Sequence, residues 1–144
     1  MKKLILAALV AGVFSLQAFA CGDDVPAAVK TKLSSLYPNA KKVKWEKEKE
    51  MYEAEFENSG VETSVLFDGQ GAVTETEIEI PVSKLPAAAT TYLAKNHAGK
   101  KVSEAAMITD AAGKVSYEAE VKGVGDVIFD ESGSFLKNEV EDKD

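Results

Sequence analysis

Two side chains in this sequence are suited to act as nucleophile or base, His97 and Cys21, and each is the only one of its type. Nucleophilic catalysis needs a nucleophile and a base within hydrogen-bond reach, with a third group orienting the base. Cys21 stands near the start of the chain, away from any regular element that could hold it beside His97. A zinc site draws on several Cys or His ligands, and one of each does not supply it. Carboxylates are the abundant reactive group. Glu53, Glu55, Glu57, Glu75, Glu77, Glu79, Glu118, Glu120 and Glu139 fall on alternating positions. A glycosidase pair would require one of them to sit in a pocket with a raised pKa, and nothing in the pattern marks a pocket. The Asp-rich turns at 68–71, 110–113 and 130–133 do not follow the twelve-residue calcium loop. The residues therefore assign no catalytic group, no cofactor and no metal ligand set, and the chain reads as a non-enzyme.

The ends and the charge narrow the class further. Lys2 and Lys3, the apolar run Leu4 to Leu16 and the small residues of Ala18-Phe19-Ala20 have the order of a secretory signal over residues 1–20. The expected protein is exported, to the periplasm or the medium, and begins at Cys21. Two readings of Cys21 stay open: the lipidated first residue of a bacterial lipoprotein, or a free thiol. Lipidation would be the one link to a membrane. Loss of Lys2 and Lys3 takes the 17 basic residues to 15, against 24 acids, a balance of −9, and none of the basic residues is arginine. Nucleic acid, which is bound chiefly through cations on phosphate, is excluded as a partner.

The elements that must position these groups repeat. Val25-Pro26-Ala27-Ala28 recurs as Leu85-Pro86-Ala87-Ala88, and Lys41-Lys42-Val43 as Lys100-Lys101-Val102. Tyr52-Glu53-Ala54-Glu55-Phe56 recurs as Tyr117-Glu118-Ala119-Glu120-Val121, and Val65-Leu66-Phe67-Asp68 as Val127-Ile128-Phe129-Asp130. Glu77-Ile78 recurs as Glu139-Val140. Order is kept throughout, which defines repeat one at about 23–80 and repeat two at about 83–140 within a domain of 21–144. Each repeat opens with an apolar stripe at helical spacing, Val25 to Tyr37 and Leu85 to His97. Asp23 or Asp24 and Ser83 are the expected caps. His97 takes the place of Tyr37 and reads as a packing residue at the helix end.

Beyond each helix the period becomes two, as in strands with one face on a core and one in water. Turns rich in Asp, Asn, Ser and Gly divide the strands at roughly 43–48, 51–57, 62–68, 73–80, 102–109, 114–122, 125–130 and 134–140. The expected fold is α+β: a tandem duplication of a helix plus four-stranded antiparallel unit, in two layers. About eight strands would carry the helices on one face and leave the other open. Strict alternation puts Leu66 and Ile128 on that open face. Trp45 aligns with Glu104 in the second repeat, which points it outward as well; the alternative is that it closes the sheet edge over the helix. The open face would then be a partner-binding surface with apolar anchors Trp45, Leu66 and Ile128 among Glu53, Glu55, Glu118 and Glu120. A second reading uses the same glutamates to bind a cation or small ligand.

The runs Val25-Pro26-Ala27-Ala28-Val29, Tyr37-Pro38, Val43-Lys44-Trp45-Glu46, Tyr52-Glu53-Ala54-Glu55-Phe56 and Phe67-Asp68, with their second copies, resemble the PepSY-like group of bacterial secreted proteins. That group is described as similar to β-lactamase-inhibitor proteins. The resemblance covers nearly all of the chain after residue 20. It implies a duplicated helix-and-sheet fold with a curved sheet. It also implies a role in binding or inhibiting another exported protein, such as a hydrolase. It carries over no catalytic residue.

Overall fold

A computed structural model describes residues 24–139. The proposed leader and Cys21 lie outside the described residues. Two compact units meet in sequence at Glu77/Ile78. Each holds one helix followed by four strands. The first has α1 (Ala27–Leu36), β1 (Lys41–Glu48), β2 (Met51–Asn58), β3 (Val61–Asp68) and β4 (Val73–Glu79), whose last two residues belong to the second unit. The second has a single 3-10 turn at Val82–Lys84, then α2 (Ala87–Asn96), β5 (Val102–Asp110), β6 (Val115–Val121), β7 (Gly125–Asp130) and β8 (Phe135–Glu139). Within each unit the strands neighbour one another in chain order, and every pairing with a defined register is antiparallel.

Both helices start later than a side-chain cap would put them. Pro26 and Pro86 occupy the capping positions in extended conformation, and neither helix has a side-chain cap. Ser83 lies in the 3-10 turn instead. The proline carbonyls still accept the first helical bonds, from Lys30 N–H and Thr90 N–H. The fixed φ of proline supplies the entry that a capping hydroxyl or carboxylate would otherwise stabilise. Tyr37 and His97 end the two helices identically, each donating its backbone N–H to the carbonyl four residues back, Leu33 and Leu93.

Each helix buries its apolar stripe on alternate residues of its own strands. Val25, Val29 and Leu33 pack with Ala54, Phe56, Val65 and Phe67. Leu85, Ala89 and Leu93 pack with Ala105, Ala119, Val121, Val127 and Phe129. Phe67 and Phe129 are fully buried, and removing either ring would cost about 3–5 kcal/mol.

One turn recurs three times. Asp68, Asp110 and Asp130 each accept two backbone N–H groups on Oδ1, from residues two and four places on, at 2.8–2.9 Å. Gly71, Gly113 and Gly133 follow in the left-handed region, φ 79–88°. The carboxylates are thus occupied by the backbone that they shape. At Asp130 the Ser132 hydroxyl donates as well, at 2.6 Å. That bond, with the Ser134 and other backbone N–H groups, holds its carboxyl below the ordinary 3.8.

Candidate functional site

The site residues lie on the face of each unit's strands turned away from its helix. Glu53 and Glu55 flank Ala54, whose side chain is in the helix-side core, so both point the other way. Glu118 and Glu120 flank Ala119 in the same manner. The ladders then align these residues across the strands. In the first unit Glu46, Glu53 and Leu66 form one row, and Lys44, Glu55 and Ser64 the next. In the second unit Ala106, Glu118, Ile128 and Lys137 form one row. The next row is acidic throughout: Glu104 opposite Glu120, Glu120 opposite Asp126, Asp126 opposite Glu139.

This face corrects the expectation for Leu66 and Ile128. They do point away from the helices, but they are only 5% and 4% exposed. Each has a glutamate directly opposite, Glu53 and Glu118, and Ile128 has Lys137 on its other side. Cross-strand neighbours stand about 5 Å apart, close enough for the aliphatic stems of long charged residues to cover a branched one. The glutamates are buried too: Glu53 is 2% exposed and accepts a hydrogen bond from the Ser64 hydroxyl at 2.5 Å.

For Trp45 the second of the two readings holds, closure over the helix side. The tryptophan stands opposite Ala54 in the β1–β2 ladder, packs against the helix-side core, and holds its ring 6.1 Å from that of Phe67. Its partner in the second unit is Ala105, which stands opposite Ala119. Glu104 corresponds instead to Lys44. Both ladders shift register just before this point, between Lys41 and Lys44 and between Val102 and Glu104. Counted from Pro26 against Pro86, Trp45 pairs with Ala105, as the ladders pair it; matching Lys41-Lys42-Val43 to Lys100-Lys101-Val102 is one residue out, and a one-residue offset exchanges the two faces of a strand.

His97 sits where the repeat places it. Its half-buried ring lies 6.0 Å from that of Tyr92, as Tyr37 lies 4.7 Å from Phe56 in the first unit. Among the described residues, no three His, Cys, Asp or Glu side chains gather as metal ligands would. The four carboxylates of the acidic row stand side by side along it rather than converging. Lys44, Glu104, Asp126 and Ser64 belong to the face but carried no signal in sequence, since cross-strand register decides which residues share a row. Among the described residues no helix is long and apolar enough to cross a membrane.

The arrangement matches known structures. The chain is similar to a proposed periplasmic protein from Bacteroides eggerthii (TM-score 0.72, 20% identity, 78% of this chain and 86% of that one). It is similar to a DUF2874 family protein from Bacteroides uniformis (TM-score 0.69, 24% identity, 78% and 86%). It is also similar to a BLIP-like protein from Bacteroides fragilis (TM-score 0.64, 26% identity, 83% and 91%). No curated protein matches the sequence. A family model matches twice in succession, over residues 20–74 and 60–137, and by that match the chain belongs to the PepSY-like family, whose proposed character is β-lactamase-inhibitor-like.

Proposed function

We propose that the protein is an exported, non-catalytic binding module that engages another exported protein, as an inhibitor or modulator, through the half-buried acids of its strands, Glu120 with Glu104 and Glu139 in the second unit and Glu55 in the first, while Glu53 and Glu118 are buried and make no outer contact. The observation that carries this reading is the row Glu104–Glu120–Asp126–Glu139, four acids directly opposite one another on four strands. Like charges in cross-strand pairs destabilise a sheet. In the first unit the equivalent positions of β1 and β3 hold Lys44 and Ser64, which break the run. Lys137 pairs with Glu139 at the end of the row, and the row as a whole still presents a concentration of acids that would steer a basic patch on a partner toward it. The β-lactamase-inhibitor-like family and the BLIP-like structural relative support a protein as the ligand. Periplasmic placement is supported by the Bacteroides eggerthii relative. With Leu66 and Ile128 covered and Trp45 packed against the helix-side core, the apolar part of the contact is not theirs. Affinity capture from the exported fraction at low and high salt tests the reading. The partner should be held at low ionic strength and released as salt rises past the screening range. Retention that does not change with salt would contradict an acidic docking face.

A further inference from the structure

The two units differ sharply at one place in the helix layer. In the second, the ring of Tyr92 on α2 lies flat on Phe135, centroids 4.7 Å apart and planes within 7°, and meets Phe129 edge-on at 5.7 Å. The equivalent residues of the first unit are Lys32 and Val73, counted from Pro26 against Pro86 in the helix and from Gly71 against Gly133 in the turn. Both turns rest on their helices in the same way. A Cβ at Gly71 would come within 3.1 Å of the Ala28 carbonyl oxygen, and one at Gly133 within 2.8 Å of the Ala89 nitrogen. Where the second unit has stacked rings, the first has a shallow, open groove between α1 and the β3–β4 turn. Gly71 and Ala28 line it with minimal side chains, and Val73 and Leu36 add apolar surface. Leu36 is 45% exposed. Among the described residues that line the groove, Lys32 is the only charged one, a cation on a strongly acidic chain.

We propose that this groove binds an aromatic side chain presented by a partner polypeptide, in the place that Tyr92 fills within the second unit. The repeat shows that the helix–turn frame accepts a ring there. The negative face of a ring complements the Lys32 ammonium, and Val73 and Leu36 offer apolar surface beside it. This surface is separate from the acidic strand face, so the proposal goes beyond that reading.

The test is an NMR titration of the isotopically labelled protein with N-acetyl-tyrosinamide, compared with N-acetyl-leucinamide. The tyrosine amide should shift the amides of 31–36 and 70–73, saturating at roughly millimolar concentration as expected for a fragment of this size. The leucine amide should bind at least about threefold more weakly, because it lacks the ring face that Lys32 attracts. The double change Lys32→Tyr with Val73→Phe, which copies the second unit, should fill the groove and abolish the shifts. Lys32→Glu, on the exposed helix surface, should weaken binding about three- to fivefold, the scale of a lost surface cation–π contact. Charge reversal at Glu55 and Glu120 should leave the titration unchanged, which separates this proposal from the acidic-face reading. The proposal is overturned by no shifts at saturating probe, by shifts elsewhere, or by full binding to the filled variant. If the filled variant does not fold, undiminished binding to Lys32→Glu overturns it instead. Shifts of the same amides on concentrating the protein alone, with no response to the probe, would assign the groove to a second copy and overturn it as well.

Discussion

Trp45 faces Ala54 across the first pair of strands, and its ring closes over Phe67 on the helix side. The residue most easily taken for a surface anchor is therefore part of a core. Trp45→Ala should lower unfolding stability by about 2 kcal/mol, less than a fully buried aromatic would lose. Partner capture should persist at temperatures where the variant stays folded. Denaturant unfolding of the variant checks this: an unchanged midpoint combined with lost capture would restore Trp45 to the surface.

The glycines of the Asp turns are not equivalent. A Cβ at Gly133 would lie 2.7 Å from the Pro86 Cβ, one at Gly71 would lie 3.1 Å from the Ala28 carbonyl oxygen, and one at Gly113 would meet nothing within 4 Å. All three have positive φ, so each alanine carries a backbone cost of about 1 kcal/mol. Gly133→Ala should destabilise most, by about 3 kcal/mol, because proline and backbone atoms cannot move aside. Gly71→Ala should follow and Gly113→Ala should be mildest. Thermal melts of the three variants give the order; a Gly113→Ala penalty equal to that of Gly133→Ala would refute the packing argument.

His97 ends α2 with its Nε2 buried and without a hydrogen-bond partner. An unsatisfied buried nitrogen costs about 1–3 kcal/mol. His97→Phe should therefore leave stability unchanged or raise it by about 1 kcal/mol, with partner capture intact. A loss of more than about 2 kcal/mol would show that the imidazole makes a contact worth more than this penalty.

Asp130 gives the pH dependence a direction. The Ser132 hydroxyl and the turn's N–H groups hold its carboxyl below 3.8. A carboxyl lowered on folding adds stability above its unfolded pKa, and that contribution disappears as pH falls through the folded value. Followed by NMR, the Asp130 carboxyl should titrate with a midpoint below 3.8, and the Ser132 and Ser134 amides should move with it. Ser132→Ala should raise the midpoint, since the hydroxyl is the largest contributor. A midpoint at or above 3.8 in the unaltered protein would contradict the turn geometry.

Helices, strands and turns were legible in the sequence because period and punctuation are local. Val25 to Tyr37 read as a helix, Tyr52 to Phe56 as a strand, and Asp68 to Gly71 as a turn, with ends displaced by a residue or two. The face of Trp45 is left open between two readings, because matching Lys41-Lys42-Val43 to Lys100-Lys101-Val102 is one residue out from the pairing that the ladders make. Burial of Leu66 was not legible either. Alternation gives the side on which a residue lies, and not how far it is covered there; Glu53, directly opposite, is buried with it. The acidic row needed three registers at once. Glu104, Glu120, Asp126 and Glu139 come from four strands and become neighbours only when β5 to β8 are aligned.

Docking of a protein on the acidic strand face, as proposed, would be governed by electrostatic steering. Its most direct measurement is the association rate of the captured partner with the unaltered protein and with Glu55→Lys/Glu120→Lys, two half-buried face residues, after unfolding curves have established that the variant is folded. The association rate of the variant should fall at least about tenfold and lose the salt dependence expected of the unaltered protein. Equal rates with the same salt dependence for both proteins would contradict it.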